Sequence, residues 1–185
     1  MLRRTVLLAL PLCAAAIVSA PISAAVVSLG PSGFVVTHEV PVKASSGAVY
    51  DALTVRVGRW WNPEHTYSKD AKNLSIAAVP GGCFCEKFPD SGGVQHMTVV
   101  YAAPGKALRM IGAIGPLQGS GLAGSMTWEL AKTENGANLI VTYGIGGYMA
   151  GGFEKIAPLV DAMLGEQVGR FKAFVETGSP VPAAR

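Results

Sequence analysis

From Phe34 to Val42 the apolar side chains fall on every second position. Phe34, Val36, Val40 and Val42 share one phase, and His38 falls in it too. A period of two puts these side chains on one face of a β-strand. Pro41 inside the run indicates an edge position or a bulge. The period then changes. Val49, Ala52, Leu53, Val57, Trp60 and Trp61 follow the stripe of an amphipathic helix, with Ser45 or Ser46 as its cap. Gly58 weakens the run, so it is read as two short helices broken near Arg56–Gly58, and Pro63 ends it. Two adjacent tryptophans cannot point the same way. One is read as core, the other as the rim or wall of a cavity.

Alternation returns in short segments at residues 73–79, 83–88, 95–102, 108–114, 125–130 and 138–143. Turn signals separate them: Pro80-Gly81-Gly82, Asp90-Ser91-Gly92-Gly93, Pro104-Gly105 and Glu134-Asn135-Gly136. Successive strands joined by tight turns predict an antiparallel meander. The last pattern is helical. Phe153, Ile156, Val160, Met163, Leu164, Val168, Phe171 and Phe174 predict a helix of about 20 residues. Pro158 suits its first turn or a kink, and Gly178 and Pro180 end it. The predicted fold class is α+β: a curved antiparallel sheet wrapped around a long C-terminal helix, with two short helices after the first strand.

Upstream of these elements the chain reads differently. A basic start at Arg3-Arg4, an apolar run from Thr5 to Ala20 and small residues around Ala24-Ala25 match a secretory signal peptide at residues 1–24. Pro11 interrupts the apolar run, which is short for a membrane span of about 20 residues. The expected division is leader 1–24, linker 25–33, domain 34–177 and tail 178–185. Removing the leader leaves 161 of the 185 residues, a length that suits one domain. Lys+Arg falls from 15 to 13 against 12 acidic residues, and no basic stripe survives. That argues against nucleic acid as a partner. No further run is long and apolar enough for a stable span. The expected location is exported, periplasmic or extracellular.

The ordered motifs AVYDALT, RWW, VPGGCFCE, VVYAAPGKALRM and MTWEL resemble the START-like helix-grip (SRPBCC) superfamily. Within it they are most similar to the polyketide cyclase and Hsp90-ATPase-activator-like group. The resemblance spans residues 34–177. It implies a hydrophobic cavity between the sheet and the long helix, of the kind that takes lipids, sterols, polyketides or aromatic compounds. Some proteins of the group are enzymes. The leader argues against a cytosolic cochaperone role.

Strand parity turns Phe84 and Glu86, Leu108 and Met110, Met126, Trp128 and Leu130, and Leu139, Val141 and Tyr143 toward the helix. The candidate ligand-binding set is Trp60, Trp61, Phe84, Glu86, Met110, Met126, Trp128, Tyr143, Tyr148 and Met163. The methionines offer an adaptable lining, and Trp128 and Tyr143 carry a polar tip on an apolar body. All of these types also suit an ordinary core. Tyr148 and Met149, in the glycine-rich stretch 144–152, would close over a ligand.

Glu86 and His65 are the candidates for acid–base chemistry. Turned inward, Glu86 would have its pKa raised by desolvation and could orient a ligand or move a proton. Turned outward, it would pair with Arg109. His38, His65 and His96 stand in no metal-ligand spacing, so neither a metal nor a cofactor is expected. Gly119–Gly124 matches G-x-G-x-x-G, but a strand pattern follows it where a dinucleotide site needs a helix, so it is read as a flexible loop beside the cavity. Ser120 and Ser125 lack a nucleophile-elbow context. Cys83 and Cys85 share a strand face with Cβ atoms about 6.5 Å apart. They are either two half-buried thiols or a disulfide that requires a bulge. Together these features point to an exported protein that binds a small lipid-like or aromatic molecule. A cyclase- or hydratase-type enzyme and an interaction module with a filled core are the alternatives.

Overall fold

The structure, a computed structural model, describes residues 23–181. The expected leader therefore lies almost wholly outside the described residues. Eight antiparallel strands form one sheet: β1 (Ser23–Gly30), β2 (Gly33–Val42), β3 (Leu74–Ile76), β4 (Cys83–Lys87), β5 (Gly93–Ala103), β6 (Ala107–Ile111), β7 (Ala123–Thr133) and β8 (Gly136–Gly146). Their order is β1-β2-β8-β7-β6-β5-β4-β3. Helices α1 (Ser46–Val55) and α2 (Val57–Trp60) follow β2, and α3 (Ala157–Thr177) closes the chain. The expected α+β architecture is what the chain adopts.

One segment differs from expectation. The linker at residues 25–33 is instead most of β1 and a tight turn, paired with β2 from Ser23↔Glu39 to Gly30↔Gly33. Its valines merge in sequence with the apolar run before them, which hides the strand. Pro41 lies beyond the end of β1, so its missing N–H costs no bond on that side. The strand expected over 73–79 shortens to Leu74–Ile76, because a turn at Pro80-Gly81 begins early.

Packing follows from facing residues. Met126 lies opposite Tyr143, Trp128 opposite Val141, and Leu130 opposite Leu139. All six are buried, and α3 lays Val160, Leu164, Val168, Phe171 and Phe174 over the same concave side. Burying each such side chain is worth about 1.5–3 kcal/mol. Trp60 fills the middle. Its ring lies 4.8 Å from Phe171, 5.9 Å from Trp128 and 5.5 Å from Trp61, centroid to centroid. Its indole N–H donates to the Ala52 carbonyl at 3.1 Å.

Helix α3 approaches β2 closely because residue 165 is glycine. A Cβ there would stand 2.9 Å from Cε1 of the fully buried His38. One turn earlier Asp161 places Oδ1 2.9 Å from His38 Nε2.

Two bulges shape β5. Phe84 pairs with Met97 and Cys85 with Gln95, which leaves His96 without a partner in β4. Val99 pairs with Met110 and Tyr101 with Arg109, which leaves Val100 extra against β6. Each bulge bends its strand and resets the alternation. Cys83 and Cys85 form a disulfide, with Cα atoms 5.4 Å apart. Extended residues two apart lie about 6.5 Å apart. Strand β4 is thus shortened where β5 carries its additional residue.

Gly165→Ala should lower stability by about 1–3 kcal/mol, since the methyl group has only a buried ring to displace. Gly169→Ala, one turn on with open space around it, should raise stability by up to about 1 kcal/mol from helix propensity. Urea unfolding midpoints of the two variants should move in opposite directions.

Candidate functional site

The concave side is solid in its middle and hollow at one end. A cavity of about 340 Å³ lies under the start of α3, bounded by β3, β4, β5, the 62–70 segment and the β6–β7 connection. Apolar walls come from Trp61, Leu74 and Phe84 on one side, from Ile114 and Leu117 on another, and from Ile156, Val160 and Met163 above. The polar lining is Glu64, His65, Thr66, Tyr67 and His96. Tyr67 and Leu159 line the space and are exposed, so the mouth lies between them.

Helix α3 holds the wall in place through a short polar row. Arg170 Nε donates to the Trp60 carbonyl at 3.0 Å. The backbone N–H of Asn62 donates to Gln167 Oε1 at 2.9 Å. Glu166 accepts from the Asn62 side-chain amide and lies 3.0 Å from His65 Nε2. Burial alone would raise the Glu166 pKa, but bonds from His65 and Asn62 and the nearby Arg170 charge lower it. Trp61 closes the row, donating its indole N–H to the His65 carbonyl at 3.1 Å.

Deeper in the cavity is a second carboxylate–histidine pair. Glu86 is 2% exposed and places Oε2 3.1 Å from His96 Nε2. The backbone N–H groups of Ser68 and Tyr67 donate to its two oxygens at 2.5 and 3.2 Å. Burial pushes its pKa up, but these hydrogen bonds outweigh burial and hold it below the ordinary carboxylate value. The sequence-based expectation of a raised pKa is therefore reversed. Burial also holds the His96 pKa below its ordinary 6.5, against the pull of Glu86. The pair is a carboxylate and a neutral imidazole, with the imidazole donating from Nε2.

His96 faces inward because of the bulge. Strict alternation with Met97 and Val99 would send it outward, yet His96 and Met97 are both buried. Gln118, from the turn at Gly115–Ser120, donates to the Gln95 and His96 carbonyls at 2.6 and 3.3 Å. The backbone carbonyls at the irregularity thus have donors.

The structure sorts the candidate residues. Trp61, Phe84, Met163 and His65 line the cavity, and Glu86 stands behind His96. Trp60, Met110, Met126, Trp128 and Tyr143 face inward as expected but lie in the filled middle, away from the hollow. Tyr143 has a structural task there: its hydroxyl accepts from the Ile114 N–H at 3.1 Å and lies 3.4 Å from the Gly112 carbonyl. Tyr148 is 82% exposed and does not line the cavity, because β8 extends to Gly146 and the short loop after it points outward. Arg109 bonds Thr127 and stacks on Tyr101, leaving Glu86 to His96. The glycine-rich segment 119–124 is the end of a helical turn and the start of β7. His96 is the residue the sequence reading missed. The cue was the C-x-C pair, whose bridging demanded an irregularity on this strand pair. Each histidine has one carboxylate partner: Asp161 for His38, Glu166 for His65 and Glu86 for His96.

No family model matches the chain, and no curated protein does. Solved structures do match it. A conserved protein of unknown function from Enterococcus faecalis aligns over 85% of this chain and 80% of its own, with TM-score 0.60 at 17% identity. CalU16 from Micromonospora echinospora aligns over 87% of each chain, with TM-score 0.57 at 13% identity. The Aha1 dimer protein from Colwellia psychrerythraea aligns over 78% of this chain and 96% of its own, with TM-score 0.56 at 21% identity. The chain has the helix-grip fold. In helix-grip terms, the hollow lies at the end of the grip where α3 begins, and two of the three carboxylate-paired histidines, His65 and His96, line it.

The helix-grip core should lose stability in acid. The unfolded chain takes up protons at the ordinary histidine value of 6.5, whereas folded His96 and His38 do so only at lower pH. Below that value the unfolded state binds more protons, so stability falls as pH falls. The lowered Glu86 and Glu166 values extend the loss below the ordinary 4.5. Urea midpoints should drop between about pH 7.5 and 5, and His96→Gln should flatten that slope.

Proposed function

We propose that this protein binds a small, largely hydrophobic molecule, lipid-like or aromatic, in the cavity under the start of α3. The observation that carries the reading is the hollow itself: about 340 Å³, walled mainly by apolar side chains, with a few polar groups at defined places. Its size falls within the range of about 300–1,000 Å³ usual for small-molecule sites. Transfer of apolar surface would supply most of the affinity, at about 25 cal/mol per Å² before the costs of association. Likeness in fold to CalU16 and the Aha1 protein supports a ligand-binding helix-grip domain. We also propose that the protein is exported. The leader pattern supports this, as does a disulfide suited to an oxidising compartment. Cleavage after Ala24 would leave Ala25–Gly30 of β1 in place.

A neutral fluorescent probe such as N-phenyl-1-naphthylamine should bind the full chain with a blue-shifted, saturable signal. Met163→Trp puts bulk into the cavity from a half-buried position and should weaken binding at least about tenfold with the melting temperature preserved. Val160→Trp should do the same from the adjacent turn. Undiminished binding in both folded variants would place the probe elsewhere and refute the reading.

A second reading, a cyclase- or hydratase-type enzyme, is favoured by one observation: two carboxylate-paired histidines line a single cavity. His96, oriented by Glu86, would accept a proton from carbon beside a carbonyl, and His65 would serve at the mouth. Wild-type protein should then speed loss of deuterium from the α-carbon of a deuterated tetralone, and His96→Gln should not. Equal rates for the two would leave binding as the whole function.

A further inference from the structure

The hydrogen bonding around His96 narrows the class of ligand. Glu86 is an acceptor-only group that receives two backbone N–H bonds and lies 3.1 Å from His96 Nε2. Only a protonated Nε2 satisfies that contact, and in a neutral ring this leaves Nδ1 as a bare acceptor. The ring cannot turn Nδ1 to another partner. It stacks on Tyr67 at 6.1 Å and 13°, and it packs against Phe84 at 5.1 Å.

Among the described residues no donor reaches Nδ1. Nor is Nδ1 among the polar atoms sealed away without a partner, as Nδ1 of His38 is. The sliver of His96 left accessible faces the cavity it lines. Neighbouring donors are already engaged: Thr66 Oγ1 bonds the Pro63 carbonyl, His65 Nε2 meets Glu166, and Gln118 bonds the backbone at the bulge. The inner part of the cavity therefore offers a guest an acceptor at Nδ1, while the hydroxyl of the exposed Tyr67 is the side-chain donor left open toward the mouth.

That arrangement selects by charge as well as by hydrogen bonding. A carboxylate guest would set a negative charge beside the lone pair of Nδ1 and near ionised Glu86. An ammonium guest would be desolvated within apolar walls. A neutral O–H group fits. We propose that the cavity selects neutral hydroxylated hydrophobic molecules, phenols and fused-ring alcohols, whose O–H donates to His96 Nδ1. This rests on the cavity being a ligand site, and the test separates the two claims.

The full chain is titrated by calorimetry with 1-naphthol, 1-methoxynaphthalene and naphthalene. All three should bind, and 1-naphthol should bind about five- to tenfold more tightly than its methyl ether, the worth of one buried hydrogen bond. In His96→Phe the preference should vanish while naphthalene affinity persists. Wild-type protein labelled with ¹⁵N provides a check that needs no variant. Naphthol should shift the His96 Nδ1 resonance as that atom accepts a bond, and the methyl ether should not. Equal affinities for naphthol and its ether would overturn the inference and leave the cavity reading intact. A preference that survives in His96→Phe would overturn it too, by placing the hydroxyl elsewhere. Binding of none of the three would bring down both.

Discussion

A single helix has to cover the concave side of an eight-stranded sheet, and it cannot cover all of it. At 1.5 Å per residue the 21 residues of α3 form a rod about 31 Å long and 10–12 Å wide. Eight strands at about 4.8 Å spacing make a surface of comparable breadth in both directions. The rod lies closest to β2, where Gly165 admits it over His38. Trp60, Trp128 and Phe171 fill the space alongside. Toward β3, β4 and β5 the apolar side chains of Trp61, Leu74 and Phe84 form walls and do not fill the space between them and α3, and the cavity is what remains.

The polar residues embedded in α3 make sense against that geometry. Asp161 meets His38 on the closely packed side. Glu166, Gln167 and Arg170 hold the Asn62 and Trp60 backbone and the His65 ring on the hollow side. The wall of the cavity is thus fixed to the helix by directional bonds, where contact between greasy surfaces would have allowed sliding. A cavity with bonded walls can stay open without a guest, and its few polar groups keep defined directions.

Periodicity made most of the architecture legible. The alternation of β2, β7 and β8 and the stripe of α3 are long enough to show their faces. β1 was not legible, because its valines run on in sequence from the apolar stretch before them and its turn, Gly30-Pro31-Ser32-Gly33, reads as a linker. Parity also placed Met110, Met126, Trp128 and Tyr143 on the inner face. Alternation says which side of a sheet a residue takes, though not how far along the strand a void begins, and so parity alone does not separate these four from the true lining. Glu86 was legible as inward but not in its charge state. The N–H groups that keep it ionised come from Tyr67 and Ser68, on a loop that no spacing rule joins to β4. His96 was invisible to alternation because it occupies the irregularity itself.

The unpaired place of His96 in the β4–β5 ladder has an evolutionary side. A supernumerary residue is the one position whose deletion restores regular pairing, with Met97 still opposite Phe84 and Gln95 still opposite Cys85. Loss of a single codon would leave the sheet aligned and strip the inner imidazole from the pocket, leaving its polar groups at the 64–67 segment alone. Gain of a codon in a relative lacking the bulge would do the reverse. Within this architecture, polar specificity can come and go by indel, without any redesign of the surrounding core.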